Sequence, residues 1–237
     1  MTTPLQKHTL PLVGIIEEAP RVRTFLFPRP DGLTWDPGSH MHVGLPGFDA
    51  DGERHPALVR HMSVCTLPEE GRLGFTTRLD SSASVFKESL ARLKPGDELT
   101  FFKFGSSLAP RRDGRPLVIV SQGVGIASAR PLALAYDRDQ TGIPSLTLII
   151  VGSRRHGVYR DLLDFLAAPG FAVERVDHRD ELQGALASVP DPEGATFDVV
   201  GSDAFLRSCI ASLRGLGVAD DQIVLDKSPV KRASFFE

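Results

Sequence analysis

Arg60 and Ser63 stand three residues apart in "RHMS", within an apolar stretch that reads as a strand. In extended chain that separation is roughly 10 Å, about the span of a flavin nucleotide, with a guanidinium suited to phosphate at one end and a hydroxyl donor at the other. Further on, Ser81, Ser82 and Ser84 crowd the start of "SSASVFKESLARL", where Val85, Phe86, Leu90 and Leu93 recur at helical spacing. The unpaired N–H groups of a helix start favour an anion, although ordinary N-capping by serine produces the same pattern. A third group is "QGVGIAS", residues 122–128, where Gly123 and Gly125 sit between the apolar runs "PLVIV" and "LALAY". Such a turn lets backbone approach a pyrophosphate closely; a tight strand-to-helix turn without ligand has the same spacing.

Other chemistries find less support. His40 and His42 alternate along one stretch, with His55 and His61 nearby, but no carboxylate or cysteine completes a metal site at recognisable spacing. Cys65 and Cys209 are the only cysteines, too few for a four-cysteine iron-sulfur cluster or zinc ribbon within the chain. A G-x-S-x-G elbow, an H-E-x-x-H pair and a full P-loop are all missing, which removes the hydrolase readings. The formal charge is -3 and the arginines are scattered, so nucleic acid is not an expected partner. No apolar run approaches the roughly 20 residues of a membrane span, and "MTTPLQKHTL" lacks a secretory core. A soluble cytoplasmic protein is expected. The tetrapeptide "GSHM", which resembles a tag scar, lies inside "WDPGSHMHVGLPG" and is native sequence.

The elements that must position these residues fall into two halves, giving an α+β two-domain fold class. Over 1–113 the chain reads as short strands, "TLPLVGIIEE", "VRTFLFPR", "HMHVGLPG", "LVRHMSVC", "RLGFTTRL" and "DELTFFKF", which predict an antiparallel β-barrel interrupted by one helix. The polar stretch "APRRDGRP", residues 109–116, reads as a linker. Over 114–237, strands "LVIV", "LTLIIV", "FAVERV", "FDVVG" and "QIVLD" alternate with helical stretches, predicting a doubly wound α/β parallel sheet with ligands at the C-terminal ends of its strands.

In this order, "RHMS", the serine-led helix, "GVGIAS" at 123–128 and "VGSDAF" at 200–205, with "WDPGSHMHVGLPG" upstream, resemble the ferredoxin:NADP reductase-like flavoproteins nearly end to end. The resemblance implies an FAD-binding barrel followed by a nicotinamide-nucleotide domain. Arg60 would bind flavin phosphate, and Ser63, the catalytic candidate, would hydrogen-bond near flavin N5. The flanking His61, Met62 and Val64 would line the flavin, and Ser81, Ser82, Ala83 and Ser84 would meet the pyrophosphate. Gly123, Gly125 and Ile126 would face the nicotinamide nucleotide, with Gly201 on the loop that closes over it. Phe235 or Phe236 would cover the flavin, or else dock the tail on the core.

The resemblance also implies NADH or NADPH as electron donor, and a ferredoxin, flavodoxin or oxygenase-type acceptor. FAD is favoured over FMN because the serine-rich helix start offers an anion site beyond Arg60, while "PGSH" also resembles relatives that use FMN. Several positions depart from the family pattern. Met62 stands in place of a stacking tyrosine, Gln122 in place of a small residue, Ser128 in place of proline, and Val200 and Ser202 in place of the Cys and Pro that flank Gly201. The Ser-Arg pair of NADP-using relatives is also missing, with Arg175, Arg179 or "SRR" at 153–155 as the available substitutes. The alternative is therefore a flavoprotein whose nicotinamide site is degenerate, or a binding module.

Overall fold

The computed structural model describes residues 6–53, 55–79, 84–152 and 157–237, without the side chains of 51, 179 and 229. The chain forms two compact units that divide between Ser106 and Ser107.

The first unit contains strands β1 (Lys7–Pro11), β2 (Gly14–Ala19), β3 (Val22–Pro28), β4 (Ser39–Gly44), β5 (Val59–Ser63) and β6 (Arg72–Arg78), then helix α1 (Val85–Arg92) and strand β7 (Glu98–Ser106). Two antiparallel sheets, ordered β1-β7-β4-β5 and β2-β3-β6, enclose one apolar core and supply the barrel expected from the alternating strands. Phe25 and Phe27 from β3, Phe75 from β6 and Phe101 from β7 are fully buried there, the Phe27 and Phe101 rings meeting edge to face at 4.7 Å. "TLPLVGIIEE" is not one strand. At Leu12–Val13 the chain changes sheets: the Leu12 N–H donates to the Asp97 carbonyl, whereas the next N–H, that of Val13, donates to Leu26.

Helix α1 inserts Phe86 and Leu90 into this core, with Leu93 packed against it. Val85, part of the expected apolar face, is instead 57% exposed, because adjacent helix residues point about 100° apart and the inward stripe runs through 86, 90 and 93.

The second unit contains β8 (Leu117–Gln122), α2 (Ile126–Arg138), β9 (Leu146–Val151), α3 (Arg160–Phe165), β10 (Phe171–Val176), α4 (Arg179–Ala187), β11 (Thr196–Val200), α5 (Asp203–Gly215), β12 (Ile223–Leu225) and α6 (Pro229–Ala233). The strands form a parallel sheet ordered β10-β9-β8-β11-β12, as their continuous apolar runs suggested. The order reverses between β8 and β11, so the crevice beyond the carboxyl ends of these two strands is the topological switch point. The stretch 109–116, read as a linker, is tied to this unit: Arg111 donates to the Asp221 carbonyl at 2.7 Å, and Arg112 pairs with Asp139 at 3.2 Å. Among the described residues, no helix is long and apolar enough to cross a membrane.

Candidate functional site

In the first unit the site is built on β5, an edge strand paired on one side with β4. The register sets His40 opposite Ser63, Met41 opposite Met62, His42 opposite His61 and Val43 opposite Arg60. Alternation therefore turns Met62 toward the barrel core, where it packs beside fully buried Met41 and Val43, while His61 and Ser63 share the opposite face with His40 and His42. Val64 is fully buried and donates its N–H to Ser39, which fixes the end of the strand.

Arg60 Nη1 donates to the carbonyls of Val59 at 2.7 Å, Pro56 at 3.0 Å and Ala57 at 3.4 Å. These bonds hold the guanidinium 5.5 Å from the centre of the Phe86 ring, in the first turn of α1. Its Nε and Nη2 donate to no group among the described residues. Ser84 is the N-cap of α1, exposed and making no side-chain cap bond, so backbone donors and a guanidinium fork converge on the same helix start. Ser81, Ser82 and Ala83 lie outside the described residues.

The imidazoles of His40 and His61 lie 4.1 Å apart and those of His42 and His61 5.5 Å apart. Among the described residues no group of three or more His, Cys, Asp or Glu is arranged to hold a metal ion. His42 is pushed below the ordinary imidazole range by burial first, then by the nearby Lys103 and His40, against the hydrogen bond it donates to the Lys103 carbonyl, which acts the other way.

In the second unit, the turn after β8 meets the end of β11. Gly123 has φ +57°, left-handed backbone that glycine adopts without a Cβ penalty. At Gly125 a methyl group would stand 3.0 Å from both Cγ1 and the carbonyl oxygen of Val200, so only glycine lets the two chain segments approach this closely. Ile126 opens α2 and is buried, as is Ser128 in the same first turn. Beyond Gly201, Ser202 Oγ donates to Gln122 Oε1 at 3.1 Å and accepts from the Phe205 N–H as the N-cap of α5. This hydrogen bond joins the ends of β8 and β11 across the switch-point crevice. Two of the family departures, Gln122 and Ser202, are thus partners, a contact that the sequence could not reveal.

Arg175 is held by Asp164 at 2.6 Å; the Arg179 side chain and residues 153–155 lie outside the described residues. Phe235 is 4% exposed within the second unit's core, with the Arg207 guanidinium 4.9 Å from its ring centre. Phe236 packs against the same core, and its carbonyl accepts from Arg214 at 2.9 Å. Sequence reasoning passed over Asp198 on β11. Its carboxyl is pushed up to about 7 by burial first and by Asp226, against the pull of Arg111 and Arg232. Its Oδ2 has no hydrogen-bond partner among the described residues. The available signal was a single acid inside the apolar strand "FDVV".

No family model matches the chain. Among curated proteins it is 25% identical over 231 residues to a flavohemoprotein of Pseudomonas putida, covering 89% of this chain and 56% of that protein, so it spans little more than half of the relative's length. The structure superposes on a cytochrome P450 reductase from Amycolatopsis with a TM-score of 0.78 at 18% identity, covering 95% of this chain and 71% of the other. It superposes on a ferredoxin NADP+ reductase from Neisseria gonorrhoeae, solved with FAD and NADP bound, with a TM-score of 0.77 at 18% identity, covering 93% and 98%. With its antiparallel sheets followed by a five-stranded parallel sheet, the chain has the fold of the ferredoxin:NADP reductase-like flavoproteins.

Proposed function

We propose that the chain is an FAD-dependent oxidoreductase that takes electrons from NADH or NADPH and passes them to a protein or small-molecule acceptor. The observation that carries this reading is Arg60. Three carbonyls pin its guanidinium beside the Phe86 ring in the first turn of α1, and among the described residues Nε and Nη2 donate to no group. Arg60 would hold a flavin phosphate, with Ser84 and the preceding Ser81, Ser82 and Ala83 at the second phosphate. Ser63, on the edge strand, would place a hydroxyl donor near flavin N5, with His61 on the same face, whereas the fully buried Val64 would act only by fixing the end of the strand. The Met62 thioether would pack where relatives have an aromatic ring. A flavin held here supplies two-electron uptake and stepwise electron release; the chain's own part is to fix its position and exclude water.

The names of the similar proteins, reductases of oxygenase systems among them, support a ferredoxin, flavodoxin or oxygenase component as acceptor, and a cytoplasmic location fits such a role. Purified protein should be yellow, and anaerobic NADH or NADPH should bleach it in stopped flow. Arg60→Gln should weaken FAD binding by about ten- to a hundredfold, the worth of charge-assisted phosphate bonds, measured by quenching of FAD fluorescence. Full retention of FAD by that variant would sink the assignment of Arg60.

A second reading has its own observation. The Ser202–Gln122 bond, beside Val200 at 5% exposure, occupies the crevice where Gly123, Gly125, Ile126 and Gly201 would receive a nicotinamide nucleotide. It favours a flavoprotein whose nicotinamide site is degenerate and whose flavin is reduced by another donor. Reduction by a chemical reductant but by neither pyridine nucleotide would decide for this reading.

A further inference from the structure

A cavity of about 210 Å³ in the first unit lies between β1, β4 and β7 and the segment 48–59, including Pro56 and Val59, and no residue proposed above to contact the flavin lines it. Phe48, His42 and Phe102 form its aromatic wall: the Phe48 and Phe102 rings stack at 5.2 Å and 15°, and those of His42 and Phe102 at 5.4 Å and 30°. Phe48 reaches this position because β4 ends in Gly44, where a methyl group would stand 2.7 Å from the Phe48 ring. Lys7 and Lys103 also line the cavity. Lys7 is neutralised by Asp49 at 2.5 Å, whereas among the described residues no carboxylate lies within 4.0 Å of Lys103.

Lys103 is set there by an irregularity. Between the pairs His40–Gly105 and His42–Phe102, β7 carries one residue more than β4, and Lys103 takes φ +52°, left-handed backbone that a lysine adopts only at a cost. Glycine would hold the same bulge without that cost. His42, uncharged at neutral pH through its burial, keeps a buried Nδ1 with no partner among the described residues. That nitrogen has no surface open to the cavity, which therefore offers flat apolar walls and one uncompensated cation. The cavity is smaller than the roughly 300–1,000 Å³ of pockets for drug-sized ligands, which limits the occupant to a single ring.

We propose that this cavity binds a monocyclic aromatic acid, its ring packed on Phe48 and Phe102 and its carboxylate met by Lys103. The site does not depend on the flavin reading, and its test can fail without touching that reading.

The full chain would be titrated calorimetrically with 4-hydroxybenzoate, with cyclohexanecarboxylate as the non-planar acid and phenol as the uncharged ring. 4-Hydroxybenzoate should bind at least about fivefold more tightly than either control. Lys103→Gly, which relieves the backbone, should weaken it by about fivefold while raising the melting midpoint. Lys103→Gln gives the same affinity readout should the glycine variant fold poorly. Gly44→Ala, which drives Phe48 from its place, should also weaken binding. No saturable binding at about 10 mM, equal binding of all three probes, or unchanged affinity in the folded Lys103 variants would overturn the proposal.

Discussion

Single residues in this chain acquire roles from where the fold holds them, and Asp198 is the plainest case. Its folded carboxyl titrates at about 7 against an ordinary 3.8, because burial penalises the anion more than Arg111 and Arg232 reward it. Between these two values the native state keeps a proton that the unfolded chain has released, so the contribution of Asp198 to stability falls as pH rises through that window and is level above it. Asp198→Asn should therefore match the wild type below pH 4 and become more stable toward pH 7, by up to ~4 kcal/mol. Urea unfolding across that range checks it; parallel curves for the two proteins would show that Asp198 does not titrate as described.

Elements act through their ends. The carboxyl ends of β8 and β11 define the switch point, and the Ser202–Gln122 bond spans it. The two partners are not equivalent, because Ser202 also caps α5 through the Phe205 N–H. Gln122→Ala should leave the melting midpoint nearly unchanged and, if the bond obstructs nucleotide entry, raise the rate of flavin reduction by NADH. Ser202→Ala should open the crevice equally but cost about 1 kcal/mol of stability through the lost cap. A Gln122→Ala protein with an unaltered reduction rate would show that the bond does not limit access. The close contact of Gly125 with Val200 belongs to the same junction, and Gly125→Ala should destabilise by about 1–3 kcal/mol by overpacking, read as a lowered urea midpoint.

At the scale of the molecule, the core closed by the two antiparallel sheets shares no residue with the core on one face of the parallel sheet, while α2 covers a further buried set that includes Ile119, Leu132, Tyr136 and Leu148. The single tryptophan, Trp35, reports on the first alone: it is 7% exposed and its Nε1 donates to the Thr66 carbonyl at 2.8 Å. Asp198→Asn, in the second unit, should shift the unfolding seen by circular dichroism while leaving the Trp35 fluorescence midpoint in place. A joint shift of both signals would mean that the two units unfold as one.

The sequence by itself determined the change from period-two strands to buried parallel runs, and with it both halves of the fold, because side-chain alternation and strand burial are local properties of the chain. Arg60, Ser63, Gly123 and Gly125 stood out only in combination, through the family resemblance of the ordered motifs that carry them. Tertiary structure alone decided the rest. Leu12–Val13 divides one apolar run between two sheets because its N–H groups meet different neighbours. Phe235 lies in the second unit's core because α5 offers it Arg207. Gln122 and Ser202 become partners only when β8 and β11 pair, and Lys103 reaches the aromatic cavity only through a bulge set by register with β4. Each of these contacts joins residues distant in sequence, and no local pattern encodes which distant neighbour a strand will meet.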